Sequence, residues 1–113
     1  MSTVETLKKA RSLISGPGRW VRAWGVKDGD GEMAYCAVGA VKVAAGLHYS
    51  PTGRNTANEE SKAAVAALAK VVGGSRRGDV VEYNDSHDQD CVLKMFDAAI
   101  EAEKAKEASS DAA

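Results

Sequence analysis

Apolar and polar positions alternate with two different periods along this chain, and the change of period divides it into elements. Val4, Leu7, Ala10 or Arg11, and Ile14 recur at helical spacing. Ser2-Thr3-Val4-Glu5 ahead of them has the form of a capping box. Ser15-Gly16-Pro17-Gly18 then stops the run, because glycine accepts a left-handed cap and proline cannot continue a helix. The spacing predicts a first helix over residues 3–15.

From Arg19 to Val26 the period becomes two: Trp20, Arg22, Trp24 and Val26 alternate with Val21 and Ala23. Asp28-Gly29-Asp30-Gly31 is built of residues that tolerate turn geometry, and Glu32 to Tyr35 then returns as a second short strand. The expectation is a β-hairpin, which is marginal alone and must pack its tryptophan face on helices. Cys36 to Leu47 reads as a second helix rich in small residues, with Gly46 at its end. A polar connection containing Pro51 and Gly53 follows, and Thr56-x-x-Glu59 forms a second capping-box pattern. Ala64, Leu68, Val71 and Val72 stripe a third helix over about 57–72, ended by Gly73-Gly74. Ser75 to Gly78 reads as a basic loop, and Val80 to Tyr83 as a short extended or single-turn piece. Ser86-x-x-Gln89 opens a fourth helix over about 88–107, striped by Val92, Phe96, Ala99 and Ile100. Past Glu103 the pattern becomes charged and alanine-rich.

The predicted fold is α+β, mainly α: about four helices with one small β-hairpin between the first and second. A chain of 113 residues makes one domain, here 1–108, with 109–113 as a polar tail. Alanine supplies 20 residues and aromatics only 5%, so the core is expected to join closely packed helices through small side chains.

Charge and targeting signals narrow the functional classes. Lys+Arg is 15 against Asp+Glu 16, which leaves no basic excess for general nucleic-acid binding. No apolar run approaches the ~20 residues of a membrane span, and Lys8, Lys9 and Arg11 are followed by no uninterrupted apolar segment such as a signal peptide needs. A cytoplasmic protein with Cys36 and Cys91 reduced is expected.

Four constellations have chemical potential. Cys36 falls at the start of a helix, where free N–H groups and the dipole favour a thiolate, and His87 and Asp85 would supply the base and acid of a Cys-His-Asp hydrolase. The flanks of Cys36 carry no local nucleophile signature, and the favoured reading makes it a small buried residue at a helix junction. Cys36, His48, His87 and Cys91 have the donor types of a zinc site without the ligand spacing of one. Asp28-Gly29-Asp30-Gly31-Glu32 lacks the spaced ligands of a calcium loop. No metal and no cofactor is assigned. Trp20, Arg22 and Trp24, with Arg76 and Arg77, have the composition of a binding surface; the plainer alternative is a core tryptophan covered by arginine stems. Tyr83-Asn84-Asp85 reads as a helix cap or as a polar site facing Cys36 or the tryptophans.

The early tryptophan segment, Cys36-Ala37-Val38-Gly39-Ala40, Tyr83-Asn84-Asp85 and the final helix with Val92-Leu93 and Ala98-Ala99-Ile100 together resemble a family of small uncharacterised proteins of actinobacteria and their bacteriophages, over roughly residues 4–101. That family usually has Trp before Asn-Asp where Tyr83 stands here, and His87 is no part of its pattern. The resemblance implies an actinobacterial or phage origin and no activity. The functional expectation is a non-catalytic binding protein that contacts a host protein or a small ligand through Trp20, Arg22, Trp24, Arg76, Arg77, Tyr83, Asn84 and Asp85. A small-molecule, nucleotide-like binder is the alternative, and a Cys36-dependent hydrolase ranks below it. A homodimer is left open.

Overall fold

The computed structural model of the protein describes residues 2–21, 26–27, 33–47 and 57–112. Among them are five helices: α1 (Thr3–Leu13), α2 (Ala37–Ala44), α3 (Glu59–Val71), α4 (Arg77–Ser86) and α5 (Gln89–Ala112).

α1 starts where Ser2 accepts from the Glu5 amide at 3.1 Å, and it buries Val4, Thr6, Leu7 and Ala10. α2 is the axis of the fold. Seven of its residues are buried, and it packs on α1, α3 and α4. Ala37, Ala40 and Ala44 are fully buried, as are Ala10, Ala64 and Ala99 on neighbouring helices, so the small side chains do lie at the helix contacts. α5 lays Val92, Met95, Phe96, Ala99 and Ile100 into the core, against α1 and α3. Phe96, the chain's single phenylalanine, is wholly enclosed. At the surface the Arg11 guanidinium clasps Asp97 with Nε–Oδ1 at 2.7 Å and Nη2–Oδ2 at 3.2 Å, which ties α1 to α5.

The α+β expectation of four helices and a hairpin is overturned by this architecture, which is helical and has a fifth helix. Extended pairing among the described residues amounts to Val26–Lys27 against Met33–Ala34, two residues a side. Trp20 is not on an antiparallel hairpin strand. It makes an isolated parallel bridge to Tyr35, through Tyr35 N–H to the Arg19 carbonyl (2.9 Å) and Val21 N–H to the Tyr35 carbonyl (3.2 Å). Arg22, Trp24 and the expected Asp28-Gly29-Asp30-Gly31 turn lie outside the described residues.

The fifth helix is α4, where a basic loop and a short extended or single-turn piece are expected from sequence. Gly78 and the adjacent β-branched Val80 and Val81 depress helix propensity. The inward stripe of α4 is Val80 and Asn84, so a polar residue occupies a core position and interrupts the apolar periodicity. Two caps also differ. α3 is capped by Asn58, not Thr56: Asn58 Oδ1 accepts from Ser61 N–H at 2.9 Å, and Ser61 Oγ accepts from Asn58 N–H at 3.0 Å. α5 is opened by Asp88, whose carboxylate accepts from Cys91 N–H at 2.9 Å, while Ser86 belongs to α4. Gln89 instead donates to the carbonyls of Ile14 (2.8 Å) and Gly16 (3.0 Å), closing the end of α1. α5 also runs on to Ala112, as its Ala, Glu and Lys content favours.

The expected stop at Gly73-Gly74 is a Schellman motif. Gly73 has φ +79°, its N–H donates to the Lys70 carbonyl (3.2 Å), and Gly74 N–H donates to the Ala69 carbonyl (2.8 Å). A Cβ on Gly74 would lie 2.5 Å from Asp79 Cβ and Cγ. The close approach lets Asp79 accept from Ser75 N–H (2.9 Å) and Arg76 N–H (3.0 Å), so its carboxylate closes the turn into α4. Those two bonds, and the charge of Arg76, hold the Asp79 carboxyl below the ordinary carboxylate value.

Candidate functional site

The residues singled out by sequence converge where α2 begins. A helix leaves its first amides without internal partners. Here two side chains from different parts of the chain meet that need. Cys36 is the N-cap, and its sulfur accepts from Gly39 N–H at 3.3 Å. Asn84, reaching across from α4, accepts from Ala37 N–H at 3.0 Å.

Asn84 is 1% exposed, and its carboxamide is fully used. Oδ1 takes a second hydrogen bond from the Trp20 indole Nε1–H at 2.7 Å. Nδ2 donates to the Val21 carbonyl and to Asp85 Oδ1, both at 3.2 Å. An amide offers two acceptor lone pairs and two N–H donors, so each position is filled from within the protein. Asn84 thus joins α4, the start of α2 and the segment around Trp20, and it does not cap the helix that follows it.

The nucleophile candidate has the wrong environment for a thiolate. Cys36 is buried, and desolvation pushes its thiol above the ordinary value, outweighing the amides of Gly39 and Val38; the nearby Asp85 charge pushes it up further. Asp85 itself is exposed. His87 ends α4. Its ring stacks on Tyr83 with centroids 3.8 Å apart and planes 16° from parallel. Its Nδ1 lies 2.9 Å from the Tyr83 carbonyl, which only accepts, so that nitrogen carries the proton. That bond ties the Nδ1 edge of the imidazole to the last turn of α4. Burial raises the Tyr83 phenol, with Cys91 and Asp88 adding to it. Cys36 and Cys91 are both free thiols, and no cluster of His, Cys, Asp and Glu suited to a metal occurs among the described residues.

The arginines lie elsewhere. Arg76 and Arg77 are exposed at the opposite end of α4 from Asn84, about 10 Å away along the helix at 1.5 Å per residue. The structure therefore groups Trp20, Cys36, Asn84 and Asp85, and separates them from the arginine pair. α4 runs antiparallel to α2: Asn84 meets the start of α2, while Arg77 comes close enough to Lys42, near its end, to disfavour the charge on that lysine. Sequence reading missed Lys42, which is 5% exposed within an otherwise apolar helix, and Lys62 on α3. The signal for Lys42 was available, as a lone cation inside an apolar helical run.

A family of unknown function, DUF6197, matches residues 1–102. The chain belongs to the DUF6197 family. The match covers every element from α1 into α5, so the Cys36–Asn84 junction lies wholly inside the family's domain. No curated protein and no solved structure matches the chain. Membership thus assigns a domain and no activity. Among the described residues, no helix is long and apolar enough to cross a membrane.

Proposed function

We propose that this chain is a non-catalytic binding protein that works in the cytoplasm. The observation that carries the reading is the commitment of the two most reactive-looking positions to structure. The Cys36 sulfur caps α2 from a buried site, and the Asn84 amide has every hydrogen-bonding position filled. What remains outward-facing is charge, above all Arg76 and Arg77. With an actinobacterial or phage origin, the partner is a component of the host cell.

Two measurements test the reading. In a Cys91→Ser background, the rate of Cys36 alkylation by iodoacetamide against pH is expected to give a pKa at or above the free-thiol value of about 8.5. A depressed pKa with fast alkylation at neutral pH would overturn the non-catalytic assignment. Capture from an actinobacterial lysate is expected to retain a partner that Arg76→Ala loses, and equal recovery by both proteins would exclude the arginine surface.

A further inference from the structure

The outward side of α3 carries a ridge made of Glu59, Ala63, Ala66 and Lys70, all of them exposed. At about 100° per residue these positions fall within about 60° of one another. Their spacing of four, three and four residues is that of a seam between two helices. Other alanines of the same helix, Ala64, Ala67 and Ala69, are buried where α3 packs on α1, α2, α4 and α5. Ala63 and Ala66 are left over at the middle of the ridge, where they open the backbone of α3 to close approach by another helix, down to about 8 Å between axes. Beside the ridge, a groove of about 410 Å³ runs between α3 and α5, with Ala66 and Ala67 on one wall and Glu103 on the other.

We propose that the α3 ridge packs antiparallel on the α3 of a second copy of this chain, forming a symmetric dimer. Charge identifies the occupant. A two-fold axis midway between Ala63 and Ala66 sets Ala63 opposite the second copy's Ala66, and Glu59 opposite its Lys70, because the members of each pair stand equally far from that midpoint. Each pairing occurs twice, so an ion pair at either end brackets the alanine contacts. The ridge is acidic in the first turn of α3 and basic in the last. Antiparallel packing therefore joins opposite charges and opposite ends of the two helix dipoles, whereas parallel packing would set Glu59 on Glu59 and Lys70 on Lys70. Lys62, exposed on one flank of the ridge, meets its own counterpart across the axis, and this like-charge contact limits the affinity. α3 has 13 residues and is about 20 Å long, which puts the contact at the small end of specific interfaces and the dissociation constant at about 100 µM. None of the four ridge residues belongs to the Cys36–Asn84 junction or to the Arg76-Arg77 pair, so the dimer neither requires nor excludes a host partner.

Sedimentation equilibrium of the full chain from about 10 µM to about 1 mM, at about 150 mM ionic strength so that diffuse attraction is screened within about 8 Å, is the experiment. A reversible monomer–dimer equilibrium is expected. Lys70→Glu sets carboxylate against carboxylate at both ends of the seam and should weaken the dimer about tenfold, and Glu59→Lys should do the same with ammonium groups. Mixed together, these two variants should associate to within about threefold of the wild-type constant, because the lysines of one ridge then meet the glutamates of the other. Ala66→Arg keeps a strong helix former at an exposed position, fills the closest approach and should abolish dimerisation. Lys9→Glu makes the same charge change at an exposed position on α1 and should alter the constant less than about twofold. Circular dichroism checks that each variant keeps its helices; if one charge variant does not, Ala66→Arg against Lys9→Glu decides. A chain that stays monomeric over the whole range, a dimer that survives both Lys70→Glu and Ala66→Arg, or folded charge variants that remain monomeric when mixed, would each overturn the proposal.

Discussion

Asn84→Ala should be among the most damaging single substitutions in this protein, although it removes only a carboxamide. The reason is the set of partners left behind. Ala37 N–H sits in the first turn of α2, is buried, and has no carbonyl four residues back to bond; an unsatisfied buried donor costs about 1–3 kcal/mol. The Trp20 indole N–H and the Val21 carbonyl are only partly buried, so water recovers part of those bonds, and each loss is roughly 0.5–1 kcal/mol. The void adds roughly 0.5–1 kcal/mol at ~24 cal/mol per Å³ of cavity. The expected destabilisation is about 2.5–6 kcal/mol, a large part of the 5–15 kcal/mol typical of a domain. At roughly 4 °C per kcal/mol for a chain of this size, the midpoint should fall by about 10–24 °C. Urea unfolding followed by circular dichroism measures it, with the slope m unchanged if the denatured state is unaffected. A double-mutant cycle with Trp20→Phe isolates the indole–amide bond, for which a coupling of about 1 kcal/mol is expected. A loss under about 1 kcal/mol for Asn84→Ala, or a coupling near zero in the cycle, would refute the reasoning.

Cys36→Ala should cost about 0.5–1.5 kcal/mol through loss of the α2 cap, whereas Cys36→Ser, whose oxygen is the better acceptor, should stay within about 0.5 kcal/mol of the wild type; equal losses in urea unfolding would mean that the sulfur is no cap. Because the folded Asp79 carboxyl lies below its unfolded value of about 3.9, its contribution is present above that pH and disappears as pH falls through the lower folded value. The stability gap between wild type and Asp79→Asn should accordingly narrow between pH 5 and pH 3, and a constant gap across that range would contradict the assignment. Gly74→Ala brings a methyl into Asp79 and should destabilise by about 1–3 kcal/mol, with a neutral result in thermal melts showing that the turn relaxes.

Where local chemistry and fold agree, the sequence was a good guide. The Ser2 cap, the buried positions Val4, Leu7 and Ile14 and the glycine stop after α3 each depend on neighbours within a few residues, and each is found where the spacing puts it. Boundaries slipped where competing caps stood close together: Asn58 took the place of Thr56, and Asp88 that of Ser86. The hairpin and the missing helix share a cause. Alternation around Trp20 looks like a strand, yet Trp20 is positioned by a parallel bridge to Tyr35 and by an amide 64 residues away in sequence. The segment that became α4 has weak propensity, and it is helical because α2, α3 and Asn84 hold it.

The sequence by itself determined which surfaces would be buried: small, regularly spaced apolar residues specify helices that pack closely, whatever their order in space. It also marked Cys36 and Asn84 as unusual. Only the tertiary structure decided what they do, because a thiol at a helix start is a nucleophile or a cap according to its solvation, and an asparagine is a turn residue or a buried junction according to what lies across from it. The outward ridge of α3 belongs to the same category. Alanine suits a core and a surface alike, so only the packing of α1, α2, α4 and α5 around α3 decided that Ala63 and Ala66 stay in the open while Ala64 and Ala67 are buried.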